Sequence, residues 1–215
     1  MSKEELTKLE KELISIFEAE RDRIHTQIKI RAGKVRKELP EYFEIMELYG
    51  FKKDDCIKLD VYHNTSRLTF RSLGKLLEDL TTTVLKYTKG GNPLQLSNPN
   101  PPPKTFYIDW VIPQGERVYE IKWRDATTDG DHVRKEEAKI SAISRNGYKP
   151  IRVMYYHPTR IQAKAICDRV TALYREHGEA YVGKDAWNHI KFYTGFDLRS
   201  FVFTRLIKER SSPLM

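Results

Sequence analysis

Two runs rich in aromatic and β-branched residues, Thr105 to Ile112 and Arg117 to Trp123, are separated only by Pro113-Gln114-Gly115-Glu116. That spacing constrains the fold more than any other feature, because turn chemistry between two strand-like runs makes a β-hairpin. A helical pattern follows from about Asp131 to Ser144, and Pro150-Ile151-Arg152-Val153-Met154-Tyr155-Tyr156 then reads as a buried strand. Strand, helix and strand in that order imply a parallel crossover, since the helix carries the chain back over the sheet. The expected core, about 105–175, is therefore α/β: a central mixed β-sheet flanked by helices.

Upstream, over about 1–90, the chain reads as a helical N-terminal region. Ser2 and Glu5 form a capping-box pattern, and Leu6, Leu9, Leu13, Phe17, Ile24 and Ile28 recur at helical spacing, in a helix ending near Gly33. Lys29, Arg31, Lys34, Arg36 and Lys37 crowd its last turns. They read as a solvated basic face suited to a helix C-terminus, with a phosphate-binding stripe as the alternative. A shorter helix is expected after Pro40, through Phe43, Ile45, Met46 and Leu48. Cys56 to Tyr62 has a weak strand-like pattern, and Leu73, Leu76, Leu77, Leu80 and Val84 mark a helix stopped by Gly90-Gly91. A loop is expected from Asn92 to Lys104, because Asn98-Pro99-Asn100-Pro101-Pro102-Pro103 can hold neither a helix nor a central strand.

After the crossover, Thr159 starts a helix carried by Ile161, Ala165, Ile166, Val170 and Leu173. Two further helices are expected around Trp187 and from Leu198 to Ile207, within a C-terminal region of about 183–210. No internal repeat is present. The 215 residues suffice for one sizeable core, and a single domain over 1–215 is expected.

The hairpin also carries the chemistry. Side chains of a strand alternate between faces, so Glu120 and Lys122 share a side with Val118, while Tyr119, Ile121 and Trp123 face the other way. A turn centred on Gln114-Gly115 pairs Ile112 with Arg117, Val111 with Val118, Trp110 with Tyr119 and Asp109 with Glu120. Opposed residues in an antiparallel pair have Cβ atoms about 4.5–5.5 Å apart. Two carboxylates at that distance repel unless something positive lies between them, and a divalent metal is the simplest candidate. Oxygen-only ligation favours Mg2+, with Mn2+ as a substitute, over zinc. Such an ion binds a scissile phosphate and lowers the pKa of a bound water, while Lys122 orients the water and offsets charge on the phosphoryl oxygens. In a chain with 32% charged residues the same pattern also arises as a surface carboxylate pair with a salt-bridging lysine. The hairpin context, the crossover and the cost of converging charges on a sheet favour the metal site.

Asp109, Glu120-Ile121-Lys122 on a strand and the helix beyond Asp131 resemble the PD-(D/E)xK nuclease superfamily. The run from Glu120 through Trp123-Arg124-Asp125-Ala126-Thr127-Thr128-Asp129-Gly130-Asp131-His132 is more particular and resembles ApaLI-like type II restriction endonucleases. The likeness continues through Tyr155-Tyr156-His157-Pro158 and Tyr181-Val182-Gly183-Lys184-Asp185-Ala186-Trp187. One departure is Ile108, which stands where a proline usually precedes the first acid. The resemblance implies a restriction-endonuclease-like core in which Asp109 and Glu120 bind the metal and Lys122 is the catalytic lysine. It also implies a prokaryotic homodimer that cuts both strands of a short palindromic site in double-stranded DNA. Many such enzymes add an acid from an N-terminal helix, for which Glu41, Glu44 and Glu78 are equal candidates.

DNA contact is expected after the catalytic strand, at Arg124, Thr127, Thr128, Asp129, His132 and Arg134. Base edges require donors and acceptors together, whereas backbone binding needs mainly Lys and Arg. Asp129 or Asp131 reads equally well as a helix N-cap. Trp110 and Trp123 fit core packing better than base stacking, and the histidines lack metal-ligand spacing.

Charge and composition agree with this reading without carrying it. The net charge of +8 suits a polyanionic partner, and 40% hydrophobic residues support a packed core. No apolar run approaches the ~18 residues of a membrane span, and the charged start lacks the apolar stretch of a signal peptide. Cys56 and Cys167 are too few and too far apart for a disulfide framework or a thiolate zinc site, as expected of a cytoplasmic protein with reduced thiols. Two alternatives stand beside the restriction enzyme. One is a DNA repair or junction-resolving nuclease with the same site. The other is a non-catalytic DNA-binding regulator, which leaves the paired carboxylates unexplained.

Overall fold

The computed structural model describes residues 1–38, 43–98, 104–114, 116–124 and 131–208. The described residues divide into two compact units, one from 1–13 and 77–208, the other from within 14–76. Helices α1 (Lys3–Lys37) and α3 (Lys53–Lys89) contribute to both, and α2 (Phe43–Glu47) belongs to the second.

The first unit holds a five-stranded sheet in the order β1 (Asn92–Ser97), β2 (Thr105–Ile112), β3 (Arg117–Lys122), β4 (Lys149–Met154) and β5 (Glu179–Val182). The first two pairings are antiparallel and the last two parallel. The mixed sheet flanked by helices is therefore the architecture expected from the hairpin and crossover. Helix α4 (Asp131–Arg145) makes the β3-to-β4 crossover and α5 (Ile161–His177) the β4-to-β5 crossover. Helix α6 (Lys184–Thr194), the single turn α7 (Leu198–Ser200) and a π-helical segment, Phe201–Leu206, follow. Leu96, Phe106, Ile108, Val111 and Val118 pack with Ala142 and Ile143 of α4, and Ile140 packs with Val170 and Tyr174 of α5.

Three local expectations change, and one strand was not anticipated. Cys56 to Tyr62 is helical, inside α3, because Asp54 and Asp55 suit a helix first turn and the later leucines extend the same helix. Helix α1 runs past Gly33 to Lys37, since one glycine lowers helix propensity by only about 1 kcal/mol. Asn92–Ser97 is a strand where a loop was expected; as an edge strand it tolerates Pro93, whose missing N–H costs no central ladder bond. Strand β5 had no separate expectation, being only four residues long.

In the second unit, Glu20 accepts from Arg23 at 2.5 Å and from Ser72 Oγ at 2.5 Å, tying α1 to α3. Along α3, Leu59, Tyr62, Phe70 and Leu73 are exposed.

Candidate functional site

Helix α4 meets the sheet over Glu120, and this position organises everything around it. Glu120 is wholly buried on β3, with Lys139 of α4 donating to its Oε1 at 2.9 Å. Lys122 Nζ lies 3.0 Å from Glu120 Oε2 and 3.1 Å from Asp109 Oδ2, so one ammonium bridges both carboxylates. The 3.0 Å approach is an ion pair without hydrogen-bond alignment, which leaves Glu120 Oε2 buried with no hydrogen bond. Asp109, Glu120 and Lys122 are thus together, Glu120 and Lys122 on the one face of β3 that strand alternation predicts.

The hairpin ladder pairs Ile112 with Arg117, Val111 with Val118 and Trp110 with Tyr119, the expected register, and ends there. Asp109 does not take the next rung opposite Glu120. The β1–β2 register slips between Asn92 and Leu94, whose partners are Val111 and Ile108, so β2 accommodates an extra residue around Asp109-Trp110. A bulge re-aims the side chain it carries. The Asp109 carboxylate here accepts the backbone N–H of Ile121 at 2.7 Å.

Burial pushes the Asp109 carboxyl above its ordinary pKa, and neighbouring Glu120 adds to this. Burial alone would also raise Glu120, but Lys122 and Lys139 outweigh it and hold that carboxyl low, at about 2. Burial disfavours the Lys122 charge, yet Glu120 and Asp109 more than compensate, so its ammonium is kept protonated.

Beside Glu120, Arg152 pairs with it in register from β4 and is itself fully buried. Arg152 donates to Glu136 Oε2 at 3.2 Å, and Tyr174 Oη donates to the same oxygen at 2.9 Å. Glu136 and Lys139 lie three apart on α4 and therefore share its inner face. These four residues escaped the sequence reading. The i, i+3 spacing of Glu136 and Lys139 was a signal, but it also describes any solvated helix face.

An oxygen-liganded divalent ion suits this donor set. Two carboxylates on neighbouring strands, one with a buried oxygen lacking a hydrogen bond, match what hard cations bind. Glu78 and Asp109 line one cavity of about 390 Å³, whereas Glu44 lies in the other compact unit and Glu41 outside the described residues.

Of the expected DNA contacts, Arg124 leaves β3 with its guanidinium 5.6 Å from the Trp123 ring and 5.5 Å from the Tyr156 ring. Thr127, Thr128 and Asp129 lie outside the described residues. His132 is half-buried in the first turn of α4; Arg134, exposed, lines a separate cavity with Ser141 and His177. Trp110 is core, as expected, its indole N–H donating to the Gly90 carbonyl at 3.0 Å. Both cysteines are buried free thiols, and no described helix is long and apolar enough to cross a membrane.

A family model described as ApaLI-like restriction endonuclease matches residues 1–206, nearly the whole chain. No curated protein and no solved structure matches the chain.

Proposed function

The chain belongs to the ApaLI-like restriction endonuclease family, and on that premise we propose that it is a sequence-specific type II enzyme hydrolysing double-stranded DNA with Mg2+. The supporting observation is the bridging of Asp109 and Glu120 by Lys122 over a buried carboxylate oxygen that has no hydrogen bond. Mn2+ is the expected substitute, since it shares the preference for oxygen donors.

Asp109 and Glu120 would hold the ion, which would supply Lewis acidity at the scissile phosphodiester. Lys122 remains protonated, orients the attacking water and offsets charge building on the phosphoryl oxygens. Lys139 fixes Glu120 through Oε1 and would thereby hold that carboxylate in place as a ligand. Glu78, which lines the same cavity as Asp109, serves as the additional acid. Arg124, Thr127, Thr128, Asp129, His132 and Arg134 contact the DNA. The enzyme acts as a homodimer, so that two copies cut the two strands of a palindromic site. The exposed apolar residues of α3, Leu59, Tyr62, Phe70 and Leu73, supply a contact surface.

Digestion of unmethylated plasmid and phage DNA tests this reading, with magnesium, calcium and Lys122→Ala in parallel. Discrete magnesium-dependent fragments that disappear in Lys122→Ala are expected, and their sequenced ends give the site. Tight DNA binding without cleavage under any divalent ion would overturn the nuclease mechanism in favour of a regulator.

A further inference from the structure

A cleft of about 900 Å³ opens where Tyr155 and Tyr156 leave β4 and Gly183 leaves β5. Backbone hydrogen bonds join it to the nuclease strand: Tyr155 donates to the Lys122 carbonyl and Tyr156 to the Trp123 carbonyl, each at 2.9 Å. Gly183 continues the connection by donating to Met154 at 2.8 Å. The cleft is therefore outside the carboxyl ends of parallel strands, where open α/β sheets place their ligands.

Its walls combine three kinds of group. Tyr156, Trp187 and Phe203 provide rings, Lys184 and Arg199 provide exposed cations, and Asn188 provides an amide. Tyr156 and Phe203 are 39% and 51% exposed, so aromatic side chains reach solvent within a rim that is otherwise polar. Trp187 is braced, with the Tyr155 ring 4.1 Å away and the Phe203 ring at 6.0 Å edge-on. Tyr155 is itself fixed by a 2.6 Å hydrogen bond to Thr81. Phe203 is presented by the π-helical segment, a backbone form that is rare and concentrates at functional sites. Among the described residues the rim has one acid, Asp197, and it is neutralised by Lys191 at 2.7 Å.

We propose that this cleft receives one nucleotide of the DNA, turned out of its stack, with its base against the Tyr156–Trp187–Phe203 wall. Its phosphates lie beside Lys184 and Arg199, and the Asn188 amide meets the base edge. The inference rests on the nuclease reading for the identity of the polymer. Ring faces in a duplex are covered by neighbouring bases, so an aromatic wall gains contact only with an unstacked nucleotide. The volume suits a small ligand and is far below that of a duplex. Arg124, over both Trp123 and Tyr156, connects the end of the nuclease strand to the cleft wall.

Ultraviolet cross-linking of the full chain to unmodified plasmid fragments in calcium, followed by peptide mass spectrometry, tests the site. Nucleotide adducts on Tyr156, Trp187 or Phe203 are expected. Phe203→Ala, at an exposed position, should keep the parent melting temperature and weaken DNA binding about tenfold, the loss of one base–aromatic stack. Adducts only outside the cleft, or a folded Phe203→Ala that binds and cuts like the parent, would overturn the proposal. Magnesium cleavage by the same preparation separates the two readings. Cleavage without cleft adducts removes the nucleotide site and leaves the nuclease; cleft adducts without cleavage do the reverse. Absence of any DNA binding removes both.

Discussion

The backbone N–H of Ile121 donates to Asp109 Oδ2 at 2.7 Å, so a side-chain carboxylate occupies the place of a ladder carbonyl beside the buried Glu120. Asp109 therefore closes the end of the hairpin as well as carrying charge. Asparagine keeps an amide oxygen that can accept the same bond. Asp109→Asn should thus retain stability within about 1 kcal/mol, the scale of one hydrogen bond. Metal binding and DNA cleavage should fall by about 100-fold or more. Thermal melts beside magnesium-dependent digestion check both halves, and an unfolded variant would show that the charge itself holds the strand end.

Among the described residues the polar contact of Lys139 is with Glu120 Oε1, so its removal should alter how the carboxylate is held without removing a group from the phosphate. Lys139→Met is expected to raise the magnesium concentration giving half-maximal cleavage by about 10- to 100-fold. Lys139→Arg should recover part of this. An unchanged magnesium requirement in a folded Lys139→Met enzyme would reduce Lys139 to a packing residue.

Glu136 neutralises Arg152 inside the sheet–helix interface, where the guanidinium is fully buried. Glu136→Gln removes the carboxylate that accepts from Arg152 and should cost about 3–5 kcal/mol of stability. Denaturant unfolding measures this, and a loss below about 1 kcal/mol would mean that another group carries the compensation.

His189 lies against Tyr181 at 3.8 Å between ring centroids, with Tyr119 Oη 3.2 Å from its Nε2 and Tyr193 stacked on it. Burial lowers its pKa to about 4, against attraction from Glu179 and with Arg117 adding to the lowering. The neutral imidazole is the form that fits the fold, whereas the unfolded chain takes up its proton near pH 6.5. Stability from this group is therefore full above about pH 6.5 and is lost as pH falls from there through about 4, a loss on the order of 3 kcal/mol. Melting temperatures across that window should fall more steeply in the parent than in His189→Gln. Parallel pH curves would exclude His189 as the source.

Gly91 joins α3 to β1 with φ at +100°, and a Cβ there would lie 2.0 Å from the Val111 carbonyl oxygen. Gly91→Ala should destabilise by at least ~2 kcal/mol, because both the backbone conformation and the close approach resist a side chain. The melting temperature reads this directly. Gly90, with open space around it, is the control for positive φ alone.

The hairpin was legible because both of its determinants are local: period-two strands and a turn four residues long. Its register and the shared face of Glu120 and Lys122 follow from that turn, and so did the first crossover, whose strand, helix and strand are consecutive. The stretch of α3 over Cys56 to Tyr62 was not legible, because its apolar spacing is weak and its helical state is set by the long helix that continues after it. The edge strand β1 was hidden by Pro93 and by the proline run after it, which forbid a central strand but permit an edge.

By itself the sequence determined the hairpin, its chemistry-bearing face and the likeness of the Glu120–His132 run. Only the tertiary structure decided what surrounds that face. Lys139 reaches Glu120 across 19 positions and Arg152 reaches Glu136 across 16, while the bulge at Asp109 depends on a partner strand beginning at Asn92. Side chains brought together by a sheet crossover have no fixed spacing along the chain. Local propensity therefore places the strands, but packing of α4 on β3 and β4 chooses which charges meet inside.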